Sequence, residues 1–165
     1  MKKVCPTVTE AIGSTPMVQL SRMSPAQGGV IFAKLEYMNP GGSIKDRAAL
    51  GMIEDAEDAG LLKPGDTIVE PTAGNTGVGL ALVAAARGYK MIVVIPEGYS
   101  REKMSVMRGL GAELIVTPKD KGMQHAIQVA EEMAAGKPGF YCPQQFRNPS
   151  NPRIHEATTG PEIWE

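Results

Sequence analysis

Apolar positions follow two rhythms along the chain. From residue 67 onward, short unbroken apolar runs alternate with longer stretches in which small and apolar residues recur every three or four positions. The runs TIVE (67–70), MIVVIP (91–96) and AELIVTP (112–118) have the length and composition of strands. The stretches GNTGVGLALVAAARG, SREKMSVMRGLG and KGMQHAIQVAEEMAAG predict helices, the first closed by Gly88. GFYC predicts a last short strand. The strand runs are continuously apolar instead of alternating, which predicts a parallel sheet covered by helices on both faces. That is a three-layer αβα fold, and its ligands belong at the carboxyl ends of the strands.

Before residue 67 the rhythm differs. TPMVQLS and GGVIFAKLEY predict two further strands, and a helix is expected over 43–60. Ala48, Met52, Ala56 and Ala59 share one face of that helix, while Glu54, Asp55, Glu57 and Asp58 cover the outer one. After Cys142 comes CPQQFRNPSNPRIHEATTGPEIWE, whose prolines predict irregular chain followed by a helix start at TTGPEIWE, with Pro161 as a first helical residue. The sequence stops at Glu165 in mid-element and reads as truncated.

Composition narrows the function classes. A chain of 165 residues with 42% hydrophobic content can bury a core. A net charge of −1 gives no electrostatic case for nucleic acid or an anionic membrane surface. No apolar run has the length of a membrane span, and the N-terminus lacks the apolar stretch of a secretory signal. Cys5 and Cys142 form no CxxC pair and are expected to be reduced thiols in a cytoplasmic protein. His125 and His155 have no third ligand at metal spacing, so no metal is expected.

Two stretches carry candidate chemistry. In EPTAGNTGVGLA (70–81) a polar loop with donors Thr72, Asn75 and Thr76 follows a strand and opens a helix, the arrangement of an anion site. It lacks the Lys-Ser or Lys-Thr of a P-loop, and Gly74, Gly77 and Gly79 are in the wrong order for a dinucleotide fingerprint. In NPGGSIKDRA (39–48), Ser43 and Asp46 have the spacing of a capping box, which places Lys45 in the first turn of a helix. Helix-end amides disfavour the ammonium form there and favour the neutral amine, the form in which lysine acts as a nucleophile toward aldehydes.

Together these stretches, with IGSTPMVQL, AKLEYMNPGGSIKDRAA, MRGLGAELIVTP, KGMQHAI and QQFRNPSNPRIHEATTGPEIWE, resemble the cysteine synthase (O-acetylserine sulfhydrylase) and cystathionine β-synthase family. These are pyridoxal-phosphate enzymes of fold type II, with the tryptophan synthase β-like architecture. The resemblance runs in family order along nearly the whole chain. It implies pyridoxal 5′-phosphate as cofactor and Lys45 as the lysine that carries it and later takes the substrate's α-proton. It implies that Asn75 meets the cofactor's 3′-oxygen. It makes Thr72, Ala73, Gly74, Asn75 and Thr76 the loop that closes on the substrate carboxylate, which Gln145 reaches from across the cleft.

The implied reaction is β-replacement on O-acetylserine, with sulfide giving L-cysteine; homocysteine as nucleophile, giving cystathionine, is the alternative. Ala73 departs from the serine usual in cysteine synthases and matches some cystathionine-forming relatives. A reading of another class is a non-catalytic binding or regulatory half-enzyme. Tyr99 and Ser100 are further candidates for substrate contact. By resemblance, residues 1–45 start a large cofactor domain, 46–148 form a small mobile domain, and 149–165 return to the large one. The family's Gly-Thr-rich phosphate loop and its pyridine-nitrogen partner are expected beyond residue 165. The full-length protein is expected to be a homodimer. The 165 residues alone are expected to hold the cofactor weakly, to lack turnover and to leave their first two strands as exposed edges.

Overall fold

The computed structural model describes residues 4–25 and 27–164. In it the apolar runs become β3 (Thr67–Pro71), β4 (Lys90–Pro96) and β5 (Glu113–Thr117), joined by β6 (Phe140–Tyr141). They form one parallel sheet in the order β5-β4-β3-β6. The intervening helices are α2 (Asn75–Arg87), α3 (Arg101–Gly109) and α4 (Gly122–Ala134), and α1 (Lys45–Asp58) precedes β3. Gly88 closes α2 in the left-handed conformation at φ 77°, where a side chain would be strained.

Side-chain alternation along the strands explains the continuous apolar runs. Ile68, Met91, Val93 and Ile95 point into one core with Met52 and Ile53 of α1, Leu80 and Val83 of α2 and Met107 of α3. Val69 and Val94 point the other way, onto Ala126 and Ala130 of α4. β3, at the centre, is buried at every position. The expected three layers are therefore present, with α1, α2 and α3 on one face and α4 on the other.

The first two strands, β1 (Met17–Gln19) and β2 (Phe32–Lys34), pair antiparallel with each other and with no third strand among the described residues. Val18, Val30, Ile31 and Phe32 stay exposed on this ribbon. Its exposure agrees with the expectation of unprotected edges.

The C-terminal segment corrects the sequence reading. The helix begins not at residues 158–160 but at Ser150, as α5 (Ser150–Ile154), continues through a π-helical turn (His155–Thr159) and ends as α6 (Gly160–Trp164). Pro152 falls in the first turn, where its missing N–H leaves no bond unmade. The Asn148 side-chain carbonyl accepts from the Ser150 amide at 2.9 Å and caps the start. Pro161 is tolerated because the wider π turn just before it loosens the ladder that its ring would otherwise hit.

Candidate active site

α1 begins at Lys45 itself, so the amine rises from the first helical turn, as the sequence predicts. The local capping is different from a capping box. Ser43 Oγ accepts from the Lys45 amide at 3.1 Å, and Asp46 Oδ2 accepts from the Gly41 amide at 2.5 Å. The Gly41-Gly42 turn, with Gly42 at φ 83°, curls the chain back over the helix start. A Cβ on Gly41 would overlap the Asp46 carboxylate, so only glycine fits. Burial pushes Asp46 up to about 6, against the pull of the Gly41 amide.

α2 starts directly against this turn. A Cβ on Gly79 would lie 2.9 Å from the Lys45 carbonyl oxygen and 3.2 Å from Ala49 Cβ. The absent side chain lets the polar loop approach the lysine. Gly79→Ala is accordingly expected to push α2 off α1 and to cost about 1–3 kcal/mol in chemical denaturation. A cost near zero would show that the contact is not tight.

The loop Thr72–Thr76 lies at the carboxyl end of β3, the place expected for a ligand. Thr72 is tied down by its amide, which donates to Val94 O at 3.1 Å, and its Oγ1 accepts from the Gly74 amide at 3.4 Å. Ala73 packs partly against the core, and Gly74 is the residue before α2, with no side-chain cap. Gly77 and Val78 donate back to Gly74 O, while the first amides of α2 point out of the helix. Asn75 Oδ1 is buried without a hydrogen-bond partner. Thr76 Oγ1 donates to Gln145 Oε1 at 2.6 Å, so the structure brings together two predicted residues 69 positions apart.

Gln145 owes its place to a residue that the sequence reading passed over. Glu70, the last apolar-run residue before the loop, is buried, with 1% of its surface exposed. Its carboxylate accepts from the Gln144 amide at 2.9 Å and the Gln145 amide at 3.1 Å. Gln144 is held at φ 54°, a conformation that costs a non-glycine residue about 1–3 kcal/mol and persists only when its surroundings impose it. Burial raises Glu70 to about 7 despite the two amides. Burial, and then the Glu70 charge, push the neighbouring Cys142 thiol up to about 12.

Behind Lys45 lies a second unforeseen cluster. Arg47, with 2% of its side chain exposed, holds Glu36 through Nε and Nη2, both at 2.9 Å. It holds Glu162 through Nη1 and Nη2, both at 2.6 Å. Lys34 Nζ reaches Glu162 at 2.7 Å, Thr15 Oγ1 donates to Glu36 at 2.5 Å, and the Ser14 amide donates to Glu162 at 3.0 Å. Hydrogen bonds from Arg47 hold Glu162 down at about 2. The cluster fastens α6, the ribbon and the N-terminal segment to the first turn of α1. His155, in the π turn, is held below its ordinary value by burial and then by the charges of Lys45 and Arg47.

The remaining candidates lie apart from this group. Ser100 caps α3, its Oγ accepting from the Lys103 amide at 3.3 Å, and Tyr99 lines a separate cleft with Arg101 and Arg108. Among the described residues no group of three or more His, Cys, Asp or Glu side chains is placed to hold a metal, and no helix is long and apolar enough to cross a membrane.

The backbone of Lys45 therefore packs on α2, whose open N-terminus lies at the carboxyl end of β3, and a lysine and a helix start so placed suit an aldehyde-bearing cofactor and a carboxylate substrate. Comparison with known proteins agrees with that chemistry. A family model described as pyridoxal-phosphate dependent enzyme matches residues 8–165. A cysteine synthase of Staphylococcus aureus (strain N315) is 51% identical over 164 residues, which is 99% of this chain and 53% of the relative. Cysteine synthase B of Escherichia coli (strain K12) is 50% identical over 159 residues, 96% of this chain and 52% of its own length. The crystal structure of an O-ureido-L-serine synthase superposes with a TM-score of 0.92 at 45% identity, covering 98% of this chain and 50% of that one. The chain spans about half the length of the relatives it matches.

Proposed function

The chain belongs to the pyridoxal-phosphate dependent enzyme family, and we propose that it supplies the lysine and the substrate-carboxylate loop of a β-replacement site that makes L-cysteine from O-acetyl-L-serine and sulfide. The observation that carries this reading is the convergence of Thr76 and Gln145 at the open start of α2, which itself packs on the turn bearing Lys45. Names of relatives at about 50% identity point to the same product.

Bound pyridoxal phosphate supplies an electron sink for the charge that develops at the substrate's α-carbon. In this proposal Lys45 Nζ anchors the cofactor and then takes the α-proton, a task that requires an uncharged amine. The Asn75 side-chain N–H group would donate to the cofactor's ring oxygen. The amides opening α2 and the Thr72 hydroxyl would hold the substrate carboxylate, with the Thr76 hydroxyl joining them once its proton leaves Gln145 Oε1, and Gln145 closes the site from the opposite side. Fixing the carboxylate aims the α-hydrogen at Lys45 and keeps water from the reacting carbons.

The domain division at residues 45 and 148 belongs to the same proposal and is supported by the two separate sheets. A homodimer and a cytoplasmic location rest on the family resemblance alone. The test measures L-cysteine formed from O-acetyl-L-serine and sulfide with added pyridoxal phosphate. The chain is assayed alone and with the C-terminal half of a curated cysteine synthase supplied in trans. Cysteine formation in the complemented mixture above either half alone is the expected result. A preference for homocysteine over sulfide would move the reading to cystathionine formation, and no β-replacement in either arm would overturn it.

A further inference from the structure

We propose that Glu70 is a positioning residue: by holding the Gln144 and Gln145 amides, its carboxylate sets whether Gln145 meets Thr76 at the start of α2, and so tunes how that site receives an amino-acid carboxylate. The proposal deepens the function proposed above and rests on it for the identity of the ligand. The geometry is a relay of short contacts. Glu70 is the penultimate residue of the buried strand β3, two residues before the loop at Thr72. Its two oxygens each take one amide of the opposite segment, at 2.9 and 3.1 Å. That segment carries Gln145, whose side chain accepts from Thr76 at 2.6 Å, and whose carbonyl accepts from Asn151 at 3.0 Å.

The held turn does not rest in its own preferred shape, since Gln144 sits at φ 54°. Two amides donating to one carboxylate are charge-assisted bonds, and protonation of the carboxyl weakens both. The other titratable or charged groups facing Glu70 are Tyr141 of β6, Cys142, whose thiol donates to Glu70 Oε2 at 4.0 Å, Arg147 and, from α4, Glu131; among the described residues none of them is a buried cation. Glu131 is itself occupied by Gln144 Nε2 at 3.2 Å and Arg147 at 3.7 Å. The Gln144 carbonyl is held separately by the Arg147 and Asn148 amides at 2.8 and 3.1 Å, and ionisation of Glu70 strengthens the hold on the Gln144 and Gln145 amides.

The direction with pH separates this role from a merely structural one. Burial lifts Glu70 to about 7 from an ordinary value of 4.5. Its contribution to global stability is therefore fully present below about 4.5 and is lost as pH rises through about 7. The grip on Gln145 changes in the opposite sense, strengthening as Glu70 ionises.

The experiment is a proton–nitrogen NMR titration of the 165-residue chain from pH 5.5 to 8.5, with the Glu70→Gln variant alongside. The Gln144 and Gln145 amides, the Gln145 side-chain amide and the Thr76 amide are expected to shift together with one midpoint near 7. Core amides such as Val83 stay fixed. In Glu70→Gln those shifts vanish, and Thr76 at pH 8 resembles the unsubstituted chain at pH 5.5. Addition of O-acetyl-L-serine then perturbs Thr76 at pH 8 several-fold more in the unsubstituted chain than in the variant. Resonances of Gln145 and Thr76 that ignore the titration of Glu70 overturn the proposal, and the unsubstituted chain decides this even if the variant does not fold. No response to O-acetyl-L-serine at any pH counts against the substrate reading, while the titration alone decides the clamp.

Discussion

Arg47→Ala is expected to destabilise the chain by about 3–5 kcal/mol, read as a fall in the urea midpoint of unfolding at unchanged slope. The guanidinium is almost wholly buried and occupied on both edges, by Glu36 and by Glu162. Removing it leaves two carboxylates facing each other with Lys34 as their remaining cation. Buried charges left without a partner are what make such deletions costly; the intact pair contributes far less than its loss takes away. Arg47→Lys is expected to recover only a small part, because an ammonium cannot offer two parallel pairs of N–H groups to two carboxylates. Lowering the pH weakens the cluster by the same logic. Glu162 sits near 2 in the folded chain and higher when unfolded, so its contribution is present above its ordinary value of 4.5 and is lost as pH falls through about 2. A loss below about 1 kcal/mol for Arg47→Ala would mean that water enters and replaces the network.

How far the sequence discloses this molecule depends on whether a feature is local. β3 to β5 and α2 to α4 are written in uninterrupted runs whose period any window detects, and the structure places each within a few residues of its expected bounds. The turn at α5 and α6 is hidden because Pro152 and Pro161 are helix breakers in general, and only a first-turn position and a π turn excuse them here. Arg47 carries no signal of its own, since its partners stand 11 and 115 residues away. Glu70 is harder still: its partners are backbone amides, which every residue has, and it sits in a strand that otherwise reads as apolar. The meeting of Thr76 with Gln145 was legible through the family resemblance and not through spacing. Chemistry-bearing loops could be read because helix starts and glycines mark them, whereas the groups that hold those loops in place could not.

Lys45→Ala is expected to remove the specific covalent attachment of pyridoxal phosphate. The measurement is borohydride reduction of the mixture followed by peptide mapping: in the unsubstituted chain the label on Lys45 exceeds that on other lysines by about tenfold or more, and in the variant the total label falls to that background, since attachment requires a nucleophilic amine at that position. Selectivity has a structural basis. Lys34 is engaged by Glu162 at 2.7 Å and by the Thr15 carbonyl at 2.8 Å, and Lys137 lies over the Phe140 ring at 5.6 Å. Neither stands beside an open helix start. The backbone of Lys45 packs directly on α2 through Gly79, one turn from the first amides of that helix, which lack intrahelical acceptors. Lys45→Arg serves as the control, since it keeps the positive charge and removes the nucleophile; it should lose the label as fully as alanine does. Weak overall labelling that remains concentrated on Lys45 supports the assignment, because affinity and position are separate quantities. Label spread evenly over surface lysines, unchanged by either substitution, would break the link between the amine at the start of α1 and the cofactor, and with it the reason for the cation in that turn.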